Sequence, residues 1–225
     1  MNYEIQGNPY PVVIVNLANG ESVVCQKGAM TWMTPNMVMQ TTGGGSIGKM
    51  FGRAISGESM FQNVYTAKGG DGLIALGSSV PGEIMPIEIT PTQTIIAQKS
   101  AFLASSQSVN YELFFQKRIA TGFFGGEGFI MQKFSGSGML FLEVDGSVIS
   151  YTLAPNQSLL IDTGYLAAMD GTCSIEIETV KGVGNALLGG EGLFHTKVTG
   201  PGRIWLQTMP VAQMASSMLK YVSSK

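Results

Sequence analysis

The stretch GGEGFIMQKFSGSGMLFLE, residues 125–143, returns with its glycines in place as GGEGLFHTKVTGPGRIWLQ, residues 189–207. Self-similarity at a fixed period is the signature of a chain assembled from copies of one supersecondary unit, each burying its apolar face against its neighbours. Glu127 and Glu191 stand 64 residues apart, and 11 residues after each a glycine, Gly138 or Gly202, opens an apolar run. A weaker third copy lies upstream, where SGESMF carries Glu58 and GDGLIAL carries Gly72.

A second block recurs in the same order. LANGESVVCQKGAMTW from Leu17, ITPTQTIIAQKSAFLA from Ile89 and LAPNQSLLIDTGYLAA from Leu153 share an aliphatic residue, a turn, then Ser or Thr followed by two aliphatics. Ser22, Thr94 and Ser158 are equivalent in this comparison. Two blocks in one order at compatible spacing predict three internal repeats, about 10–80, 83–145 and 147–209, within a single domain covering 1–225. Units of this size bury too little surface to be stable singly, so they are expected to pack as one body about a pseudo-threefold axis.

Each repeat reads as short strands broken by Gly, Pro, Asn and Ser turns. With 30 glycines and only 12% charged residues, the chain reads as all-β rather than as a helical protein. Side chains alternate between the faces of a strand. In the run after the second glycine, Ile74 and Leu76, Leu140 and Leu142, Ile204 and Leu206 are uniformly aliphatic and are expected to face the core. The opposite face carries Leu73, Met139 and Arg203, then Ala75, Phe141 and Trp205, and is expected to meet a unit boundary or solvent. Pro210 then opens VAQMASSMLKYV, where Val211, Met214 and Met218 fall at helical spacing, predicting one short amphipathic helix over 210–222.

The triplicate GGEG…G-x-G pattern, fullest in GGEGLFHTKVTGPGRIWLQT, resembles a family of bacterial proteins of unknown function over essentially the whole chain. Its eukaryotic relatives include the altered-inheritance-of-mitochondria protein of the mitochondrial inner membrane. That family is similar in fold to the tryptophan RNA-binding attenuation protein (TRAP). The resemblance implies three rudimentary double-stranded β-helix units in one chain and a homo-oligomer. It supplies no catalytic residues.

The residues offer little chemistry. Glu58, Glu127 and Glu191 are candidate binding residues: gathered at an axis, three carboxylates would hold a cation or suffer raised pKa values. The plainer reading is that each accepts N–H bonds from its own turn or pairs with a base across a unit boundary. His195 is the only histidine and its repeat counterparts are Gln62 and Met131, which argues against a cupin-type metal centre, and no cofactor is expected. Cys25 aligns with Ala97 and Ile161 and reads as a small buried hydrophobe, while Cys173 reads as a strand residue. GGGSIGKM, residues 43–50, fits the spacing of a phosphate loop, but Met50 stands where Mg²⁺ coordination needs Ser or Thr. Just before the glutamates lie the apolar pairs Ala54–Ile55, Phe123–Phe124 and Leu187–Leu188; they either cap the unit cores or form an apolar patch for oligomerisation or a membrane surface.

These features point to a non-enzymatic structural, scaffolding or assembly protein that self-associates or holds a protein partner. A small-ligand or RNA-binding module by TRAP-fold analogy is the alternative, with a cupin-type metalloenzyme behind it. A net charge of −2 offers no bulk attraction for phosphates, so a nucleic-acid partner is not expected. The opening MNYEIQGNPYP lacks a basic segment ahead of an apolar one, and a cytoplasmic location is expected.

Overall fold

The computed structural model of the chain describes residues 1–42, 62–117, 128–179 and 194–219. These residues are almost wholly β. A leading strand, β1 (Asn2–Gln6), precedes three sets of six. The first set is β2 (Val12–Leu17), β3 (Ser22–Gln26), β4 (Met30–Met33), β5 (Met37–Thr42), β6 (Gln62–Ala67) and β7 (Gly72–Gly77). The second is β8 (Gly82–Ile89), β9 (Ile95–Gln98), β10 (Phe102–Ser106), β11 (Val109–Lys117), β12 (Phe129–Gly136) and β13 (Gly138–Asp145). The third is β14 (Val148–Leu153), β15 (Ser158–Asp162), β16 (Leu166–Asp170), β17 (Ser174–Thr179), β18 (Phe194–Thr199) and β19 (Gly202–Gln207). The chain then enters α1 (Val211–Leu219), within the span expected from the 3.6-residue periodicity. Its first backbone N–H, that of Val211, donates to Asp145 Oδ2 at 2.7 Å, so a carboxylate sits at the positive end of the helix.

Every described pairing is antiparallel, and the pairing scheme recurs. Within each set the first strand pairs with the sixth: β2 with β7, β8 with β13, β14 with β19. The second pairs with the fifth: β3 with β6, β9 with β12, β15 with β18. Ser22 and Ser158 open β3 and β15, and Thr94 immediately precedes β9. The Ser22 and Ser158 hydroxyls also take like partners across the ladder, Thr66 and Thr199, each at 2.8 Å.

The sets do not form separate sheets. The strand orders are β1-β2-β7-β4, then β5-β6-β3-β10-β13-β8, then β11-β12-β9-β16-β19-β14, then β15-β18-β17. Each six-stranded sheet takes three strands from one set and three from the next. Three buried apolar clusters alternate with the sheets. One gathers Val15, Cys25, Tyr65 and Ile74 with Phe141 and Leu103 of the second set. The next joins Ile95, Phe134 and Leu140 to Val24 and Val64 of the first set and Ala168 and Trp205 of the third. The last joins Val198 and Ile204 to Ile96 and Met131 of the second set.

The alternation in the glycine-led strands has a physical outcome on both faces. Ile74, Leu76, Leu140, Leu142 and Ile204 are fully buried and Leu206 is half-buried. On the opposite face Ala75, Phe141 and Trp205 are buried too, while Leu73 and Met139 are half-buried and Arg203 is exposed. Phe141 and Trp205 are therefore boundary residues, each set into the cluster of the preceding set. Gly138 and Gly202 enter these strands at φ +138° and +148°, a region L side chains avoid. A Cβ on Gly202 would also lie 2.7 Å from Cys173 Sγ.

Candidate functional site: the joints between strand sets

The residues singled out in the sequence as binding candidates, Glu58, Phe123, Phe124, Glu127, Leu187, Leu188 and Glu191, lie outside the described residues, as do Ala54, Ile55 and the 43–50 loop. His195 lies in β18, opposite Asp162 on one side and Glu178 on the other. Among the described residues no three His, Cys, Asp or Glu side chains gather closely enough to hold a metal ion. Cys25 is fully buried in β3, and burial pushes its thiol up to about 12, far from a reactive thiolate. Cys173 is not a strand residue: it closes the turn before β17, its N–H donating to the Asp170 carbonyl at 3.0 Å. Burial, with the Asp170 charge, raises its thiol also.

What the structure does assemble is a pair of joints. At the first, β3 lies beside β10 with Cys25 opposite Ala104 and Val24 opposite Ser105. At the second, β9 lies beside β16 with Ala97 opposite Ala168 and Ile96 opposite Met169. Cys25, Ala97, Ala104, Ala168 and Met169 are all 0% exposed. Small residues at the crossing let the two halves of a sheet approach while aromatic side chains fill the space alongside. Phe141 is paired beside Ala104 and Trp205 beside Ala168, so each joint combines one alanine with one aromatic ring. Phe141 also meets the ring of Tyr3 from β1 edge-on, with centroids 4.9 Å apart.

Polar groups hold the connections between the sets and cross the second joint. Glu143, 3% exposed, accepts on Oε2 from the Ser79 N–H at 2.7 Å, the Ser79 hydroxyl at 2.9 Å and the Ser78 hydroxyl at 3.1 Å. It thereby fixes the connection between the first and second sets. Burial raises its carboxyl above the usual range, partly offset by these three donors. Gln207 follows Leu206 as Glu143 follows Leu142. Its Nε2 donates to the Gly164 carbonyl at 2.8 Å, and its Oε1 accepts from the Asp145 N–H at 3.2 Å. Gln98 Nε2 donates to the Leu166 carbonyl across the second joint at 2.6 Å. In the first set the corresponding position is Gly77, with no side chain to make such a bond.

A third joint of this kind would place β15 beside β4. Among the described residues β4 pairs with β7 alone and β15 with β18 alone, and the two strands end different sheets. A closed threefold arrangement requires this pairing. Without it, Trp32 of β4 is 50% exposed and Leu160 of β15 is 53% exposed, where their counterparts Ala104 and Ile96 are buried. Neither Trp32 nor Leu160 nor Glu143 was singled out in the sequence. The signal was present: the second repeated block ends on Trp32, Ala104 and Ala168, the mirror of Ala75, Phe141 and Trp205 in the glycine-led strands. The aromatic ring changes strand in the first set, and only the two blocks read together reveal it.

The sequence model for the mitochondrial biogenesis family AIM24 matches residues 3–209. The chain belongs to the AIM24 family. An uncharacterized protein of Streptococcus pyogenes serotype M6 is 32% identical over 222 residues, covering 95% of this chain and 87% of that one. The crystal structure of a Streptococcus pyogenes protein, solved by a structural-genomics consortium, superposes with a TM-score of 0.80 at 29% identity, over 98% of this chain and 99% of the other. The resemblance read from the GGEG…G-x-G pattern thus identified the family, and the all-β class holds. No described helix is long and apolar enough to cross a membrane.

Proposed function

We propose that this AIM24-family protein is a non-enzymatic assembly module: three TRAP-like β units in one chain that associate with themselves or hold a protein partner. The observation that carries this reading is the apolar character of the sheet edges. Val38 and Met39 on β5, Tyr111, Leu113 and Phe114 on β11, and Ile149 and Tyr151 on β14 are all exposed. Exposed edge strands with large apolar side chains are templates for further pairing. Two groups with chemical capacity are, by contrast, engaged in structure: Glu143 holds a connection and Cys25 lies in a joint. The reading is tested by light scattering of the purified protein together with co-purification from its native cell. It predicts a mass above one chain, or a stoichiometric protein partner, either persisting in 0.5 M salt. A single copy with no partner would refute it.

Small-ligand binding has one observation in its favour. A shallow groove is lined by Met85, Glu88, Gln93, Arg203 and Trp205 among others, with the Arg203 guanidinium 5.4 Å from the Trp205 ring centroid. A flat anionic or aromatic ligand would suit that pair. An RNA ligand would lose affinity steeply with added salt. The assembly module makes no such loss.

A further inference from the structure

Resting on the assembly reading, we infer that β4 and β15 form a head-to-tail interface with a second copy of this chain, repeating the joints already present inside it. Each internal joint has two complementary sides. One side is the second strand of a set, whose outward aliphatic residue enters the cluster of the following set: Val24 does so from β3 and Ile96 from β9. The other side is the third strand of a set with the aromatic ring beside it, which enters the cluster of the preceding set: Phe141 beside β10 and Trp205 beside β16.

Among the described residues the third set has the first kind of side unused. Leu160 occupies in β15 the place of Val24 and Ile96, and it is 53% exposed. Among the described residues the first set has the second kind unused. Trp32, beside Ala75, supplies the ring that Phe141 and Trp205 supply elsewhere, and it is 50% exposed. These two unused sides are chemically the two halves of one joint. Among the described residues the two strands end different sheets and do not pair, so the surface that matches β15 is β4 of another copy.

The internal registers fix the docking. Ala104 and Ala168 stand opposite Cys25 and Ala97. Their counterparts are Trp32 and Ile161, so Trp32 is placed opposite Ile161 of the second copy and Met33 opposite its Leu160. The four-stranded sheet ending in β4 then continues into the three-stranded sheet ending in β15, antiparallel like both internal joints. Trp32 enters the cluster that holds Val198 and Ile204, and Leu160 enters the cluster that holds Val15 and Ile74. Because the two sides differ, the contact is heterologous, closing into a ring or growing into a filament.

The test uses the full chain and two variants, Trp32→Glu and Leu160→Glu, each at a half-exposed position where a charge is compatible with folding and circular dichroism checks that the fold is kept. Light scattering over a concentration series is expected to give wild-type masses of two or more copies and a single copy for each variant. Mixing the variants in equal amounts should restore a dimer, since one retains a sound β15 and the other a sound β4. With Trp205→Phe leaving Trp32 as the sole tryptophan, its emission should shift to the blue as the wild-type joint forms. A wild-type chain that stays single at all concentrations, variants that keep the wild-type mass, or a mixture that stays single would each overturn the interface. Variants that keep the wild-type mass would leave self-association standing through another surface. A single copy with a stoichiometric partner would leave the assembly reading standing without this joint.

Discussion

The two internal joints and the two terminal strands are written in nearly the same residues and meet opposite fates. SVVCQ in β3 and IIAQ in β9 are buried between layers on both faces, whereas SLLID in β15 keeps Leu160 in solvent. Phe141 and Trp205 are 0% and 8% exposed, and Trp32, the ring of the same kind in the first set, is 50% exposed. What differs is the neighbour. A strand of this type is completed by the set before or after it, and among the described residues β4 and β15 each end a sheet without such a neighbour. Stability should therefore concentrate at the internal joints, and the terminal strands should be nearly free to change.

The largest expected effect separates two rings of the same role. Phe141→Ala should destabilise the fold by about 3–5 kcal/mol, the usual cost of emptying a buried phenylalanine site. Trp32→Ala in a single copy should change stability by no more than about 0.5 kcal/mol, as surface substitutions do. Urea unfolding of the two variants measures the gap, and comparable losses would break the distinction.

A smaller effect comes from the buried carboxyl that holds the connection between the first and second sets. Glu143 has a folded pKa above its ordinary value because burial disfavours its charged form. The folded chain therefore binds that proton more tightly than the unfolded chain does. This contribution to stability is fully present below the ordinary carboxyl range and is lost as pH rises through the folded pKa. Asp145, raised by burial as well, acts in the same direction. Glu143→Gln should flatten the decline in unfolding free energy as pH rises above the ordinary carboxyl range. Denaturation curves at several pH values would show it, and an unchanged slope would remove Glu143 from the account.

The smallest effect is kinetic. Cys25 sits at the centre of the first joint with its thiol raised to about 12, and Cys173 sits in a turn, also raised. Alkylation of the native protein near neutral pH should be negligible at Cys25 and should begin at Cys173, with both reacting on unfolding. Early modification of Cys25 would mean that the joint opens readily.

Much of this was legible in the sequence. The repeated blocks located the strand starts: the expected equivalence of Ser22, Thr94 and Ser158 matches their positions at β3, β9 and β15. The aliphatic face of the glycine-led strands was equally plain, because alternation survives in a strand half buried by its own unit. The sheet pairing between sets was not legible. Nothing local to SVVCQ states that its partner is β10, 76 or more residues on, and SLLID carries the same apolar run at an unpaired edge. β1 went unread because NYEIQ stands outside the repeat, although it alternates and covers Phe141 with Tyr3. The proposed binding residues around the GGEG turns fall outside the described residues, while Trp32 and Leu160 looked like ordinary members of repeated strands.

Native-state amide hydrogen exchange on single copies of the chain tests the central claim most directly. If the chain has two completed joints and one divided between its ends, amides of β3, β9, β10 and β16 should exchange only with global unfolding, and outward amides of β4 and β15 should exchange orders of magnitude faster. Equal protection of β4 and β15 with the internal strands would show that the chain closes on itself, contradicting the account.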